Sequence, residues 1–176
     1  MSLFQEATAN PGSYHNKRIK GGIIFEKVKN PISTGHLELR STNPHDNPKV
    51  TFNYFQEPED LRKCVLGMKT VIDAINSKAF SNFRYKMLSA EALLYLIVRL
   101  PLNLRRRHLT SAFSLEQFCI HTVMTIWHYH GGCVVGRVVD HDYKVQGVDA
   151  LRIVDGSTFT DSPGTNPQAT VMMLGR

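Results

Sequence analysis

The chain has 176 residues, 42% of them hydrophobic and 20% charged, which suffices for one globular domain with a hydrophobic core. Its net charge of +6 does not indicate nucleic-acid binding, because the basic residues are scattered except for one short run at 105–107, typical of a solvated loop or helix end. The most apolar run, 88–100, contains Glu91 and Arg99 and is shorter than a membrane span, so it predicts a buried helix, with a membrane-surface helix as the alternative.

Residues 1–18 are polar and predict a flexible leader or a severed connection. Three segments of strand length follow. Residues 22–28 are mostly apolar, whereas 36–40 and 49–54 alternate between polar and apolar side chains. The turns between them are short, so we predict a three-stranded antiparallel sheet.

Helix signals begin at Pro58, which is followed by two acidic residues. Apolar side chains then recur every three or four residues, and we expect this stripe to lie on the sheet. The stripe consists of Leu61, Val65, Met68, Val71, Ile72 and Ile75. A second helix is predicted over 86–98, and a third begins at a capping box formed by Ser114 and Gln117.

The C-terminal third of the chain predicts a turn and a short buried strand over 147–156, ending in Asp-Gly. Asn166 is a favourable N-cap and Pro167 a favourable first residue of a final helix, within which the chain ends. The cysteines at 64, 119 and 133 are too few for a disulfide framework or a zinc site. Any one pair of them could form a bridge, and their spacing does not select which.

Residues 127–133, Trp-His-Tyr-His-Gly-Gly-Cys, combine large aromatic rings with an unhindered backbone. This is typical of a pocket in which a proton-transferring group meets a flat ligand. His128 and His130 do not predict a metal site, because alternate residues of an extended segment face opposite sides and no third ligand stands at a suggestive spacing. Cys133 is interpreted as a core residue. No glycine-rich turn of the kind that binds a dinucleotide pyrophosphate occurs in the sequence.

These residues, followed by 151–157 (Leu-Arg-Ile-Val-Asp-Gly-Ser) and 166–170 (Asn-Pro-Gln-Ala-Thr), resemble the carboxyl-terminal part of the glucose–methanol–choline (GMC) oxidoreductases. Residues 31–37 and 47–55 resemble the substrate domain of the same family. The plant branch with HOTHEAD-like and mandelonitrile lyase-like members is the most similar, the HOTHEAD-like members more so.

The resemblance implies an α+β fold in which helices pack on an antiparallel sheet. It implies a substrate-binding domain over 19–126 and, over 127–176, the catalytic and flavin-contacting last segments of an FAD-binding domain. Members of the family are several times longer and carry a glycine-rich FAD-binding turn in their N-terminal half. We therefore expect this chain to be a fragment, cut within its last helix, that depends on that missing half.

The resemblance also implies roles for individual residues. His128 corresponds to the catalytic base that takes the hydroxyl proton of an alcohol while a hydride passes to flavin N5, and Asn166 occupies the second catalytic position. Ile126 and His130 are expected at the substrate, with His130 as a supporting hydrogen-bonding group. The residues expected to contact FAD are Trp127, His128, Asp155, Gly156, Asn166, Pro167 and Gln168.

Three functions follow as hypotheses. The first is an FAD-dependent oxidoreductase acting on the CH–OH group of a small-molecule alcohol, with long-chain hydroxy fatty acids as candidate substrates. The second is a hydroxynitrile lyase on the same scaffold, although the lyases compared carry His where this chain has Asn166. The third is an inactive remnant or partner-binding domain. Resemblance to plant relatives makes a secreted location an expectation.

Overall fold

The computed structural model describes residues 22–100, 114–164 and 166–176. The predicted α+β class is confirmed, with helices grouped around a small core beside a two-stranded antiparallel sheet. Within the described residues, none of the helices is both long and apolar enough to cross a bilayer. The elements are β1 (His36–Glu38), β2 (Lys49–Thr51), α1 (Pro58–Asn76), α2 (Ala90–Val98), α3 (Leu115–Thr122) and α4 (Gln168–Leu174). The predicted leader and the basic run at 105–107 lie outside the described residues.

Helix α1 follows the prediction closely, because Glu57 precedes it in an extended conformation and acidic residues occupy its first turn. Its apolar stripe is buried or half-buried, as expected. The expectation that the stripe lies on the sheet is wrong, since α1 packs mainly against α3. Cys64 and Val65 of α1 meet Cys119 of α3 in the core, and Leu61, Met68 and Leu115 pack around them.

A disulfide bond joins Cys64 of α1 to Cys119 of α3 and leaves Cys133 as a free, half-buried thiol. The Cα atoms lie 6.3 Å apart, which is within the range that a disulfide spans. The bridge selects one of the three pairings that the sequence left open. It ties together the two helices that form the core.

The predicted third strand at 22–28 is wrong, because this segment has no strand structure. It docks on α1 instead. Val28 packs against the core, and the side chain of Glu26 lies so close to Gly67 that a Cβ there would be 2.4 Å from Glu26 Oε1. Burial raises the pKa of the Glu26 carboxyl group. The segment 22–28 thus forms a strap whose end, 26–28, lies over α1, whereas Ile23, Ile24 and Phe25 stay exposed.

The sheet pairs Leu37 with Val50 at its centre. Both side chains are largely exposed, at 62% and 47%. Gly35 precedes β1, and a Cβ at this position would lie 2.0 Å from the carbonyl oxygen of Thr51. Only glycine therefore permits this approach of the two strands.

Asp60 in the first turn of α1 anchors the loop before the sheet. Its carboxylate is 2% exposed and accepts hydrogen bonds from the backbone N–H groups of Ile32, at 2.9 and 3.0 Å, and Ser33, at 2.7 Å. Desolvation raises the pKa of Asp60, but the hydrogen bonds from Ser33 and Ile32, together with Lys63, outweigh it and lower the pKa overall.

Helix α2 is shorter than predicted and begins after Ser89, whose side chain accepts the Ala92 N–H. The expectation that it is buried holds only in part, because Tyr95 and Leu96 are 40% and 50% exposed. The predicted capping of α3 is confirmed, with the Ser114 side chain accepting from the backbone N–H of Gln117. The predicted buried strand at 147–156 is wrong. Only an isolated bridge between Lys144 and Arg152 forms there.

Candidate functional site

The aromatic segment 127–133 begins five residues after the end of α3. Trp127 adopts a left-handed backbone conformation, with φ of 60°, and its N–H donates to Thr125 Oγ1 at 3.0 Å. Its side chain is 68% exposed. Gly131 also has a positive φ, at 85°, which suits glycine. This turn therefore presents a wide aromatic ring at the surface, beside His128.

A second segment, 155–159, packs against the first although 21 residues lie between them. The N–H of Cys133 donates to the Ser157 carbonyl oxygen at 2.8 Å. A Cβ on Gly156 would lie 3.3 Å from the Tyr129 carbonyl oxygen and 3.9 Å from Val171 of α4. Gly156 thus sits where the aromatic segment and the last helix meet.

The Asp155 side chain organises the short turn that follows it. Its carboxylate accepts from the Ser157 backbone N–H at 2.8 Å and from the Ser157 hydroxyl at 2.5 Å. The hydroxyl and then the backbone N–H of Ser157 lower the pKa of Asp155. Asp155 is therefore an ionised turn residue, and its backbone, with that of Gly156, remains the part that the resemblance assigns to the cofactor.

His128 is half-buried, and its Nδ1 lies 3.1 Å from Nζ of Lys27. The same Nζ donates to the Gly164 carbonyl oxygen at 2.9 Å. Burial and the neighbouring Lys27 charge lower the pKa of His128, which favours the neutral imidazole. Lys27 therefore bridges the histidine to the chain two residues before Asn166.

Asn166 was predicted as the N-cap of the last helix and Pro167 as its first residue, but the helix begins at Gln168 and Pro167 is its N-cap, with no capping side chain. Asn166 Oδ1 nevertheless accepts the Gln168 backbone N–H at 3.0 Å. Asn166 and His128 share no hydrogen bond within the described part of the chain. A surface cleft lies at the start of α4, lined by Asn166, Gln168, Ala169 and Met172.

The two predicted substrate residues are both accessible. Ile126 is 42% exposed, and His130 Nδ1 lies 3.3 Å from the backbone oxygen of His128. His130 is thus a neighbour of the His128 backbone rather than of its ring. Across the described ranges, no three His, Cys, Asp or Glu side chains are grouped so as to hold a metal ion.

The sequence did not predict a stack of three aromatic rings beside this segment. Phe52 stacks on Tyr54 with ring centroids 5.2 Å apart and on Tyr129 with centroids 5.7 Å apart. Alternation placed Phe52 and Tyr54 on one face, but no signal linked them to Tyr129. Lys27 was missed as well, because 101 residues separate it from His128.

Most of the chain matches one known protein family. A profile of the GMC oxidoreductase family matches residues 31–175. The chain belongs to the GMC oxidoreductases.

Three individual proteins illustrate how similar this chain is to its relatives. The chain is 50% identical to the protein HOTHEAD of Arabidopsis thaliana, over 96% of this chain and 28% of that protein. It is 48% identical to an (R)-mandelonitrile lyase-like protein of the same plant, over 99% and 30% of the two chains, and 44% identical to sinalpyl alcohol oxidase Nec3 of Nesocodon mauritianus, over 94% and 29%. The chain therefore spans less than a third of the length of these relatives.

Among solved structures, part of a mutant formate oxidase of Aspergillus oryzae, examined for FAD modification, has a similar fold. It matches with a TM-score of 0.62 at 22% identity, over 82% of this chain and 24% of that one.

Proposed function

We propose that this chain carries the catalytic residues of an FAD-dependent oxidoreductase that acts on the CH–OH group of alcohols. The single observation that carries the proposal is the Lys27 bridge between His128 and Gly164. It brings the chain that leads into Asn166 to the imidazole that the family resemblance assigns as base. Membership of the GMC oxidoreductases supports the reaction class.

In this proposal His128 takes the hydroxyl proton of the substrate on Nε2 when that nitrogen carries no hydrogen, and its lowered pKa favours the uncharged imidazole that this step requires. Asn166 keeps Oδ1 on the Gln168 N–H and offers the Nδ2 amide to the substrate oxygen. Ile126 and His130 contribute contacts to the substrate. A positioned general base contributes on the order of 10²–10⁴-fold to the rate.

The residues present suit the ring system of a flavin rather than its pyrophosphate. The exposed indole of Trp127 offers a flat apolar face, and the backbone of Gly156 lies against the Tyr129 carbonyl oxygen of the same aromatic segment. Pro167 and Gln168 start the last helix next to Asn166. FAD, when bound, supplies an acceptor for the hydride. We propose that its dinucleotide is held by a separate segment, the counterpart of the N-terminal part of the longer relatives.

A chimaera tests the proposal, with this chain replacing the matching 28% of Arabidopsis HOTHEAD. The purified, flavin-loaded chimaera is mixed anaerobically with an aromatic primary alcohol or a long-chain hydroxy fatty acid. We expect the flavin absorbance to bleach as the alcohol is oxidised. A flavin that stays oxidised with every alcohol tried, in a chimaera whose FAD content equals that of HOTHEAD, would contradict the proposal.

Hydroxynitrile cleavage is the second candidate, because the chain is 42% identical to (R)-mandelonitrile lyase 1 of Prunus serotina over 85% of its length. The same chimaera is therefore given a cyanohydrin. Cyanide release without flavin bleaching would select the lyase over the oxidoreductase.

We also propose that the chain works in an oxidising compartment. The disulfide between two nearly inaccessible cysteines supports this, because such bonds persist in secreted proteins and are rare in the cytosol. Isolation of the protein from the extracellular fluid of its own tissue with the Cys64–Cys119 bond intact is the expected result. Recovery only from the cytosol with three free thiols would refute it.

A further inference from the structure

Lys27 lies within hydrogen-bonding distance of the candidate base. It belongs to the extended strap 22–28, which is fastened to α1 on both sides of Lys27, by Glu26 against Gly67 and by Val28 in the core. Its Nζ lies 3.1 Å from His128 Nδ1 and donates to the Gly164 carbonyl oxygen at 2.9 Å. The ammonium group thus contacts both the His128 ring and the chain at Gly164.

An ammonium group has three donors and no acceptor, so a protonated Lys27 obliges His128 Nδ1 to accept. The hydrogen of the neutral imidazole then resides on Nε2. In this form His128 can donate a hydrogen bond to a substrate oxygen. It cannot take the hydroxyl proton, because neither ring nitrogen is free.

An uncharged Lys27 amine reverses these roles. The lone pair of the Lys27 nitrogen accepts a hydrogen bond from Nδ1–H, and Nε2 of His128 then carries a free lone pair. When the alcohol O–H bond breaks, its proton forms a new bond to Nε2, and the imidazolium donates from Nδ1 to the Lys27 amine. One proton leaves Lys27 for solvent beforehand, and one moves from the substrate to the imidazole.

We propose that Lys27 is a positioning residue that selects the tautomer of His128, so that the histidine is a hydrogen-bond donor while Lys27 is charged and a base once it is not. This inference rests on the role proposed for His128. It adds a residue that acts through the histidine and that neither the motif nor the family resemblance indicated.

The environment of Lys27 and His128 is consistent with this role of Lys27. Burial and then Lys29 lower the pKa of Lys27, while burial and then Lys27 lower the pKa of His128. Each shift disfavours the state in which both groups are protonated.

Nitrogen-15 NMR of histidine-labelled chain, all 176 residues, tests the proposal without flavin or substrate. At neutral pH we expect His128 Nε2 to carry the hydrogen and Nδ1 to be unprotonated. As the pH rises through the titration of Lys27, the hydrogen moves to Nδ1. A hydrogen already on Nδ1 at neutral pH, or a ring that does not respond when Lys27 titrates, would overturn the proposal.

Two substitutions sharpen the test. In Lys27→Arg the guanidinium stays protonated, so the alkaline change of tautomer should disappear while the neutral-pH tautomer stays. In Lys27→Met the alkaline change should also disappear, and the midpoint of His128 should rise toward its ordinary value of 6.5. Lys49→Met, on an exposed strand residue, is the matched control and should leave both transitions in place.

The amide spectrum of each variant reports whether it folds, and Lys27→Arg alone decides the question if Lys27→Met does not. Persistence of the alkaline change in Lys27→Arg would overturn the proposal. Because these measurements need no turnover, they fail or succeed separately from the chimaera that tests alcohol oxidation.

Discussion

Removal of the Cys64–Cys119 bridge is expected to destabilise the chain strongly. The bond closes a loop with a sequence separation of 55 residues between α1 and α3. Loop-closure entropy in the unfolded chain then corresponds to about 4 kcal/mol of stabilisation. This is a large share of the roughly 5–15 kcal/mol by which a domain is ordinarily stable. The variant Cys64→Ala/Cys119→Ala should lose most of it.

Urea unfolding, followed by far-UV circular dichroism, measures this loss on chain produced under oxidising conditions. Cys133→Ala is the matched control, because Cys133 takes no part in the bridge, and it should unfold close to the unmodified chain. Thiol titration of the unfolded, unreduced chain should find one reactive thiol. Three reactive thiols, or a double variant as stable as the control, would refute the reasoning.

Three further predictions concern single contacts and the cofactor. Asp60→Asn should lower the free energy of unfolding by about 2 kcal/mol, since it weakens charge-assisted bonds to the Ile32 and Ser33 N–H groups. Folding lowers the pKa of Asp60 below 3.8, so the stabilisation from its carboxylate is complete above pH 3.8 and is lost as the pH falls through the pKa of the folded state. The Asp60→Asn variant should therefore lose less stability in acid than the unmodified chain. An acid unfolding profile identical to that of the unmodified chain would contradict this prediction. Gly35→Ala should lower the free energy of unfolding by about 1–3 kcal/mol, because the added methyl group would press on the Thr51 backbone. Gly22→Ala is the control and should leave stability unchanged, since nothing lies within 4 Å of its added methyl group. Equal urea midpoints for the two variants would show that the contact between the strands is unimportant. The purified chain alone should show no stoichiometric flavin absorbance, because its sequence lacks a glycine-rich dinucleotide turn, and a yellow protein with one FAD per chain would contradict this.

Local signals in the sequence predicted the helices well. The three- and four-residue spacing of apolar side chains predicted α1, and the Ser114 side chain caps α3 as its sequence predicted. These features depend on residues within one or two turns of each other. The periodicity of a helix and the chemistry of its cap are therefore readable without tertiary information.

Partners distant in sequence were not predictable in the same way. Residues 22–28 have the composition of a strand, yet they contact α1 through Glu26 and Val28 while Ile23, Ile24 and Phe25 stay exposed, an outcome that no local pattern specifies. The cysteine pairing depended on the α1–α3 contact, which no local pattern specifies. Within the candidate site, the aromatic motif identified His128, whereas Lys27 is identified only by its 3.1 Å contact in the folded chain.

The most direct test of the proposed chemistry is the rate of flavin bleaching by a primary alcohol in the chimaera, compared between His128→Ala and His141→Ala. His141 lies exposed in a separate loop and serves as the histidine control. If His128 is the base, its removal should slow anaerobic bleaching by about 10²–10⁴-fold at unchanged FAD content, and the control should bleach at the unmodified rate. Bleaching of the His128→Ala chimaera at the rate of the control would contradict the account.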